Sequence, residues 1–385
     1  MMIAVFWALA LALFTLASRL GKRLGLIPIV SHLLLATLVL PALMGLWVTP
    51  HWQLEGTALI APAWVKALYG GSFALLLGHI LIDVLALRPD RQALKLAVPS
   101  FLLPFLCGIT CAIWVIGLSG VGALALGLVF AITAIPVLYL YLQAIDYPPA
   151  ASRRLLQAAI LIDLACWLLL GVGQGSLDPG TLAVPLLAAL LPWPLHALGL
   201  RAPSLYGALF LVLLFIAEHY KLNALILGVG YLACLAWLKV AAALPLPERY
   251  NRRVQQGLAV PMILTYGVVQ IDAHQALGQL DAWQLVALLV LPIASKLLGN
   301  WLGLCWAAAS PGADGKWRES LLLNIRGLSE IVFLNLLLSQ QLITPAVYFA
   351  LMLMSLVATL MPALAGLHRL PLNTEPMARS PHANP

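Results

Sequence analysis

The sequence predicts an all-α polytopic membrane protein, and three observations carry that prediction. Hydrophobic residues make up 63% of the 385, charged residues only 9%, and mean hydropathy is +0.99, a balance foreign to soluble domains of this size. Breaking the chain at Pro, Gly and charge clusters leaves about 13 apolar stretches, most of them near the roughly 20 residues that cross a bilayer as helix. The basic residues alternate between connectors. Of the 21 Lys and Arg, only Lys66 and Lys221 fall at even-numbered connectors, and Lys296 and Arg326 lie within spans. The rest occupy odd-numbered connectors and the tail. This positive-inside pattern places the N-terminus outside and the C-terminus in the cytoplasm.

The elements follow in order. The first span, 3–18, ends at Arg19, Lys22 and Arg23; because these charges follow the apolar run, the segment reads as a span and not as a cleaved secretory signal. The second is 28–46, opening at Pro28, and the third is 64–87, ending at Arg88. The fourth and fifth, 96–117 and 121–142, are parted by glycines, and the sixth, 153–174, opens at Arg153 and Arg154. The seventh is 181–200, the eighth 204–218 after Pro203, the ninth 222–243 and the tenth 257–270. The eleventh is 282–308, the twelfth 319–338 and the thirteenth 345–366. The remaining tail, PLNTEPMARSPHANP, is expected to be cytoplasmic and disordered. The connectors leave no room for a nucleotide-binding domain, which argues against ATP-driven transport. Basic residues scattered singly in short connectors form no nucleic-acid face. The five cysteines lie in apolar runs without CxxC or Cys/His spacing and read as small buried hydrophobes.

The polar residues inside these spans carry the chemistry. Asp163 sits in LLQAAILIDLACWLLLG, where a carboxylate is costly unless paired, hydrated or protonated, and is therefore a functional candidate. Trp167 lies one turn on, on the same face. In the fifth span, Pro136 of AITAIP removes a helical hydrogen bond, and Thr133 adds a hydroxyl; an unwound stretch there is tolerated only where it lines a cavity or is buried in protein. Lys296 in the eleventh span is the expected ion-pair partner of Asp163, one that an arriving cation would displace. The twelfth span, LLLNIRGLSEIVFLNLLL, holds Asn324, Arg326, Gly327, Ser329, Glu330 and Asn335. Arg326 and Glu330, four apart, are expected to form an intrahelical pair, with Gly327 as a break. A polar, broken helix in each half of a hydrophobic chain points to a secondary transporter with inverted repeats and a site at the membrane midplane. Asp83 is expected at the cytoplasmic interface. His32, His79 and His196 are expected as core or interface histidines, and the twelve Trp as interfacial belts. No enzyme motif such as GxSxG or HExxH is present, so no enzyme activity and no cofactor is expected.

These segments resemble the bacterial monovalent cation:proton antiporter-2 family, whose relatives include sodium/proton and potassium/proton exchangers. RLGLIPIVSHLLLATLVLP and LLGHILIDVLALR are similar to the family's second and third spans, and FAITAIPVLYLYL with AAILIDLACWLLLG to its crossing helix and acidic helix. KLLGNWLG resembles its lysine helix, and LNIRGLSEIVFLNLLL with ITPAVYFALMLMSLVATLMPAL its last two spans. The likeness covers nearly the whole chain, most specifically 130–171 and 319–366. It implies one transmembrane transporter domain over 1–366. A moving core (about 96–174 and 282–366) would slide against a dimerising scaffold (about 1–95 and 204–270), with a linker helix at about 181–200 and a tail at 367–385. Two departures stand out. The family commonly carries two adjacent acids on the sixth span; here the first position is Ile162, which implies electroneutral exchange, a rewired Lys296–Asp163 pair or lost transport. The second-span glycine and acid appear as Ser31 and His32, and a later small position as Thr37.

The expectation is a secondary antiporter of the bacterial inner membrane, exchanging Na+ or K+ for protons. Asp163 would bind cation or proton competitively, helped by Thr133 and the unwound carbonyls, with Lys296, Asn324, Arg326, Glu330 and Pro136 in support; a homodimer is implied by the resemblance. Two other classes stay open: a sodium-coupled carrier for an organic anion on a related fold, and a non-transporting protein on a degenerate antiporter scaffold.

Overall fold

The computed structural model describes residues 2–365 apart from 25, 27, 53, 86–90, 176–178, 201, 221, 223, 241, 244–247, 271–277 and 308–311. The connector positions Arg88, Arg201 and Lys221, the Asp83 side chain and the tail from 366 lie outside the described residues. Described residues form helices and no strands.

Each stretch expected to cross is mainly helical over its described residues. Helix α1 is Met2–Arg23, α2 Val30–Trp52, α3 Ala63–Leu85 and α4 Arg91–Ile116. The fifth expected span is two half-helices, α5 Gly120–Ala131 and α6 Ile135–Ala144. Then come α7 Pro149–Gly175, α8 Pro179–Ala189, α9 Pro203–His219, α10 Ala224–Leu238, α11 over 248–269 and α12 Ala282–Ala307. The twelfth expected span is again two half-helices, α13 Gly312–Leu323 and α14 Leu328–Ser339, followed by α15 Pro345–Leu364. Among the described residues, 6 helices are long and apolar enough to cross a membrane unaided; the breaks shorten several of the others. This is a multi-pass membrane protein.

Prolines account for most irregularities. The seventh expected span, 181–200, is not one helix: α8 stops at Ala189, and a second short piece, Pro192–Ala197, follows a turn. Pro192 and Pro194 lack the N–H groups a continuous helix would use there, and Pro192 fits the first position of a new one. Pro41, Pro50 and Pro261 each follow directly on a widened turn, in which Leu40 N–H donates to Leu35 O, Thr49 N–H to Met44 O and Val260 N–H to Gln255 O. Widening by one residue relieves the clash between the proline ring and the carbonyl a turn earlier.

Small residues set how closely the site helices approach. A Cβ on Gly299 of α12 would stand 2.7 Å from Pro99 O of α4, and one on Gly303 would stand 2.6 Å from Leu96 O. On the other side of α4, a Cβ on Gly108 would stand 2.7 Å from the Gly127 Cα of α5. Backbone thus meets backbone along α4, α5 and α12, the close packing that small residues permit between membrane helices. Ser31 has a similar role at the other end of the chain. A Cβ on Gly21 of α1 would overlap the Ser31 hydroxyl at 1.8 Å, so the α1–α2 contact requires glycine there. His32 is buried edge-on to Phe14, with ring centroids 5.3 Å apart, a core histidine as expected. The cysteines are free, without disulfides. Most tryptophans face outward, including Trp114, Trp237 and Trp193, whereas Trp7 and Trp167 are buried.

One charged contact escapes a linear reading. Arg154 at the start of α7 donates from Nη2 to both oxygens of Glu319 on α13, at 2.9 and 2.8 Å, and Tyr147 OH donates to Glu319 Oε1 at 3.3 Å. Burial and the neighbouring Glu319 carboxylate push the Tyr147 phenol up, so it stays a neutral donor. The cluster ties the α6–α7 connector to α13 and so joins the two half-helices on that side of the break.

Candidate functional site

The two breaks meet. Residues 132–134 between α5 and α6 and residues 324–327 between α13 and α14 leave helical geometry. Ala134 N–H donates to Ile325 O at 3.2 Å, joining the breaks by backbone. Contrary to the expectation from sequence, Pro136 does not break a helix from inside. It occupies the second position of α6, where a missing N–H costs nothing, and the chain unwinds just before it. Gly327 is a true break, with φ 156° and ψ −127° at the start of α14. Only glycine adopts that conformation readily. Gly327→Ala is expected to destabilise the crossing by about 1–3 kcal/mol, read as a lower thermal midpoint in detergent; an unchanged midpoint would refute the strain.

Four half-helix ends converge at this crossing, each with a partial charge. The C-terminal end of α5 is held by two cations. Arg326 donates from Nη1 to Val129 O at 2.5 Å and from Nη2 to Phe130 O at 2.6 Å. Lys296 donates to Ala131 O and, at 3.2 Å, to Ser100 O of α4. The last three carbonyls of α5 are therefore capped by side chains from α12 and from the opposite break. A planar guanidinium suits two adjacent carbonyls, and an ammonium suits one more.

This arrangement corrects two expectations. Lys296 makes no ion pair with Asp163; its ammonium is spent on carbonyls that the break in the fifth span leaves without helical partners. A helix C-terminus attracts a cation as a carboxylate does, and a linear sequence does not reveal that competitor. Arg326 and Glu330 do pair, at 3.2 Å with both side chains fully buried, but the pair is not intrahelical: Arg326 lies in the extended break and Glu330 in the first turn of α14.

Asp163 on α7 is wholly buried. Its Oδ1 accepts a hydrogen bond from Thr133 N–H at 3.0 Å. Oδ2 and the Thr133 hydroxyl are buried without a hydrogen-bond partner. Thr133 thus contributes its amide, not its hydroxyl, to the carboxylate. Asn324 is buried with its amide nitrogen 4.0 Å from Met361 Sδ and its Oδ1 unpartnered. Trp167, one turn from Asp163, packs edge-on to Phe333 of α14 with centroids 4.9 Å apart, and Ile162 fills core space beside it.

The structure adds residues that sequence reasoning passed over. On α15, Ser355 donates to Glu330 Oε2, and Thr359 donates to Arg326 O at 2.6 Å. On α12, Asn300 donates to Ser320 O at 3.0 Å, and Ser320 donates back to Leu297 O at 2.7 Å. Their signal was available: Ser355 and Thr359 stand four apart, as do Lys296 and Asn300, polar pairs on one face of otherwise apolar helices. Among the described residues no group of three His, Cys, Asp or Glu side chains is placed to hold a metal ion.

The overall fold that brings these elements together has counterparts among solved structures. The fold is that of a sodium proton antiporter. The chain is similar to the antiporter MjNhaP1 from Methanocaldococcus jannaschii at pH 8, at a TM-score of 0.57 and 16% identity, covering 96% of this chain and 98% of that one. An electron-microscopy structure of MjNhaP1 from the same organism gives a TM-score of 0.55 and 16% identity over 95% and 96% of the two chains. No protein-family model matches the sequence, and no curated protein matches it. At this identity the likeness is one of fold.

Proposed function

We propose that the chain is a secondary antiporter exchanging a monovalent cation, Na+ or K+, for protons by alternating access at Asp163. The observation that carries this reading is the pairing at Asp163. One oxygen is oriented by the freed amide of Thr133, and the other is buried without a partner, beside the crossing of two broken helices. A buried, unneutralised carboxylate carries a penalty of several kcal/mol. Carrying Asp163 across the membrane empty is therefore unfavourable, and either a proton or a cation removes the penalty. Because both neutralise the same group, binding is mutually exclusive, and each passage carries one or the other; that is antiport. Hard alkali cations take oxygen ligands, and Asp163 Oδ2 and Thr133 Oγ1 are buried oxygens of that kind.

The remaining charges act as fixed compensation. Lys296 and Arg326 neutralise the end of α5, and Glu330 balances Arg326 at the N-terminus of α14, where the helix dipole favours an anion. Proton-loaded and cation-loaded sites then carry the same net charge, and exchange is one for one and electroneutral. Membership of the monovalent cation:proton antiporter-2 family accords with this reading. So do a sliding core of α4–α7 and α12–α15, a dimerising scaffold, and a bacterial inner-membrane location with the C-terminus inside.

The test is cation-induced pH change in everted vesicles, with Na+, K+ and Li+ at several pH values on both sides of neutrality. A signal with one cation names the substrate. Its absence with all three, with protein present in the membrane, defeats the proposal.

A further inference from the structure

Asn335, two turns beyond the break on α14, has no part in the site described above, yet it is buried and bonded at both ends of its amide. Nδ2 donates to Ile263 O of α11 at 2.9 Å, and Oδ1 accepts from Tyr348 OH of α15 at 2.7 Å. The backbone of α11 is cut to receive it. A Cβ on Gly267 would stand 2.1 Å from Asn335 Oδ1 and 2.2 Å from Tyr348 OH. Ile263 and Gly267 are one turn apart, so the Asn335 amide lies along the groove that the missing side chain leaves. An apolar helix crossing such a groove would make a contact that slides; an amide bonded on both sides, in a slot of fixed width, holds one register.

We infer that Asn335 and Tyr348 form a clasp between α14–α15 and α11 that holds the transporter in the conformation of this structure and must open for the other. They are positioning residues, because neither touches Asp163. This rests on the antiport reading for its purpose and for its side of the membrane. With the basic connectors cytoplasmic, α14 and the end of α11 lie in the outer half, so the clasp closes the outer route. Gly267 is then required at that position because only glycine lets the clasp shut.

The clasp is tested without a transport assay, so its failure and that of the antiport reading are distinguishable. With the native cysteines replaced by alanine, spin labels are placed at Thr57→Cys, exposed on the short helix Gly56–Ile60 against the end of α11, and at Ser339→Cys, exposed at the end of α14. The distance between them is read by electron–electron double resonance. The parent is expected to give one dominant short distance. Asn335→Leu, and independently Tyr348→Phe, which removes only a hydroxyl, are expected to add a second, longer population. Tyr231→Phe removes an equally buried bond, Tyr231 OH to Tyr206 O at 2.8 Å between α9 and α10, and is expected to leave the distribution unchanged. Unaltered distances in Tyr348→Phe, or the same broadening in Tyr231→Phe, would overturn the inference whatever the vesicle assay shows.

Discussion

Asp163→Asn is expected to abolish cation-induced proton movement while leaving the protein folded. Asparagine is nearly isosteric with aspartate, and its carbonyl oxygen still accepts the Thr133 amide bond that now reaches Oδ1 at 3.0 Å. The amide cannot take up or release a proton near neutral pH, and it offers a cation a dipole in place of a charge. Both halves of the competition vanish together. Loss of exchange should therefore be complete with every alkali cation and at every pH tested, with normal membrane levels and a thermal midpoint at or above that of the parent. The midpoint has a reason to rise: the buried carboxylate is a stability cost, and its neutral isostere removes it. Exchange retained by the variant would place the site elsewhere and sink the mechanism. Lost exchange accompanied by lost protein would leave a structural role for Asp163 and count against the carrier role proposed for it.

The second large effect concerns Arg326. This side chain is fully buried and meets three acceptors: Val129 O at 2.5 Å, Phe130 O at 2.6 Å and Glu330 Oε1 at 3.2 Å. Arg326→Met keeps much of the apolar stem and removes all three bonds. It leaves two helix-end carbonyls unsatisfied and one carboxylate unpaired, and breaking a buried pair from one side alone costs about 3–5 kcal/mol. The expected result is a sharp fall in thermal midpoint and in the yield of monodisperse protein. Adding Glu330→Gln should recover part of the loss, since the stranded charge goes with it, and the carbonyls account for the remainder. Equal damage in the single and double variants would mean that the ion pair contributes little and that the guanidinium matters only as a helix cap. A double-mutant cycle separates the two.

The two variants probe different physics. Asp163 is held by one amide and left open on its other side, whereas Arg326 makes three side-chain hydrogen bonds, its Nε alone lacking a partner, and Lys296 makes two. A group that must exchange its ligand needs an open side, and a group that must hold a backbone break in place needs several bonds at once. That contrast separates candidate carrier from scaffold among four buried charges which, in sequence, look alike.

Much of this was legible from the chain alone. Hydropathy and the alternation of Lys and Arg fix spans because lipid demands long apolar helices and retains basic flanks on one side. Asp163 stood out because a lone carboxylate in such a helix has few stable reasons to be there. The polar crowding around Gly327 marked the second break, since a lipid-facing helix does not tolerate so many polar side chains. What stayed hidden was who pairs with whom. Lys296 and Asp163 are complementary in charge, but backbone carbonyls at the end of α5 compete for the same ammonium, and they have that power only once the chain unwinds at 132–134. The Asn335 slot against Gly267, and the Arg154–Glu319 contact, likewise join residues far apart in the chain. Periodicity and composition determine which residues leave water and which must be satisfied there. The partner that satisfies each one is decided by three-dimensional proximity, because helix ends, carbonyls and side chains from distant segments become equivalent ligands only after the helices have packed.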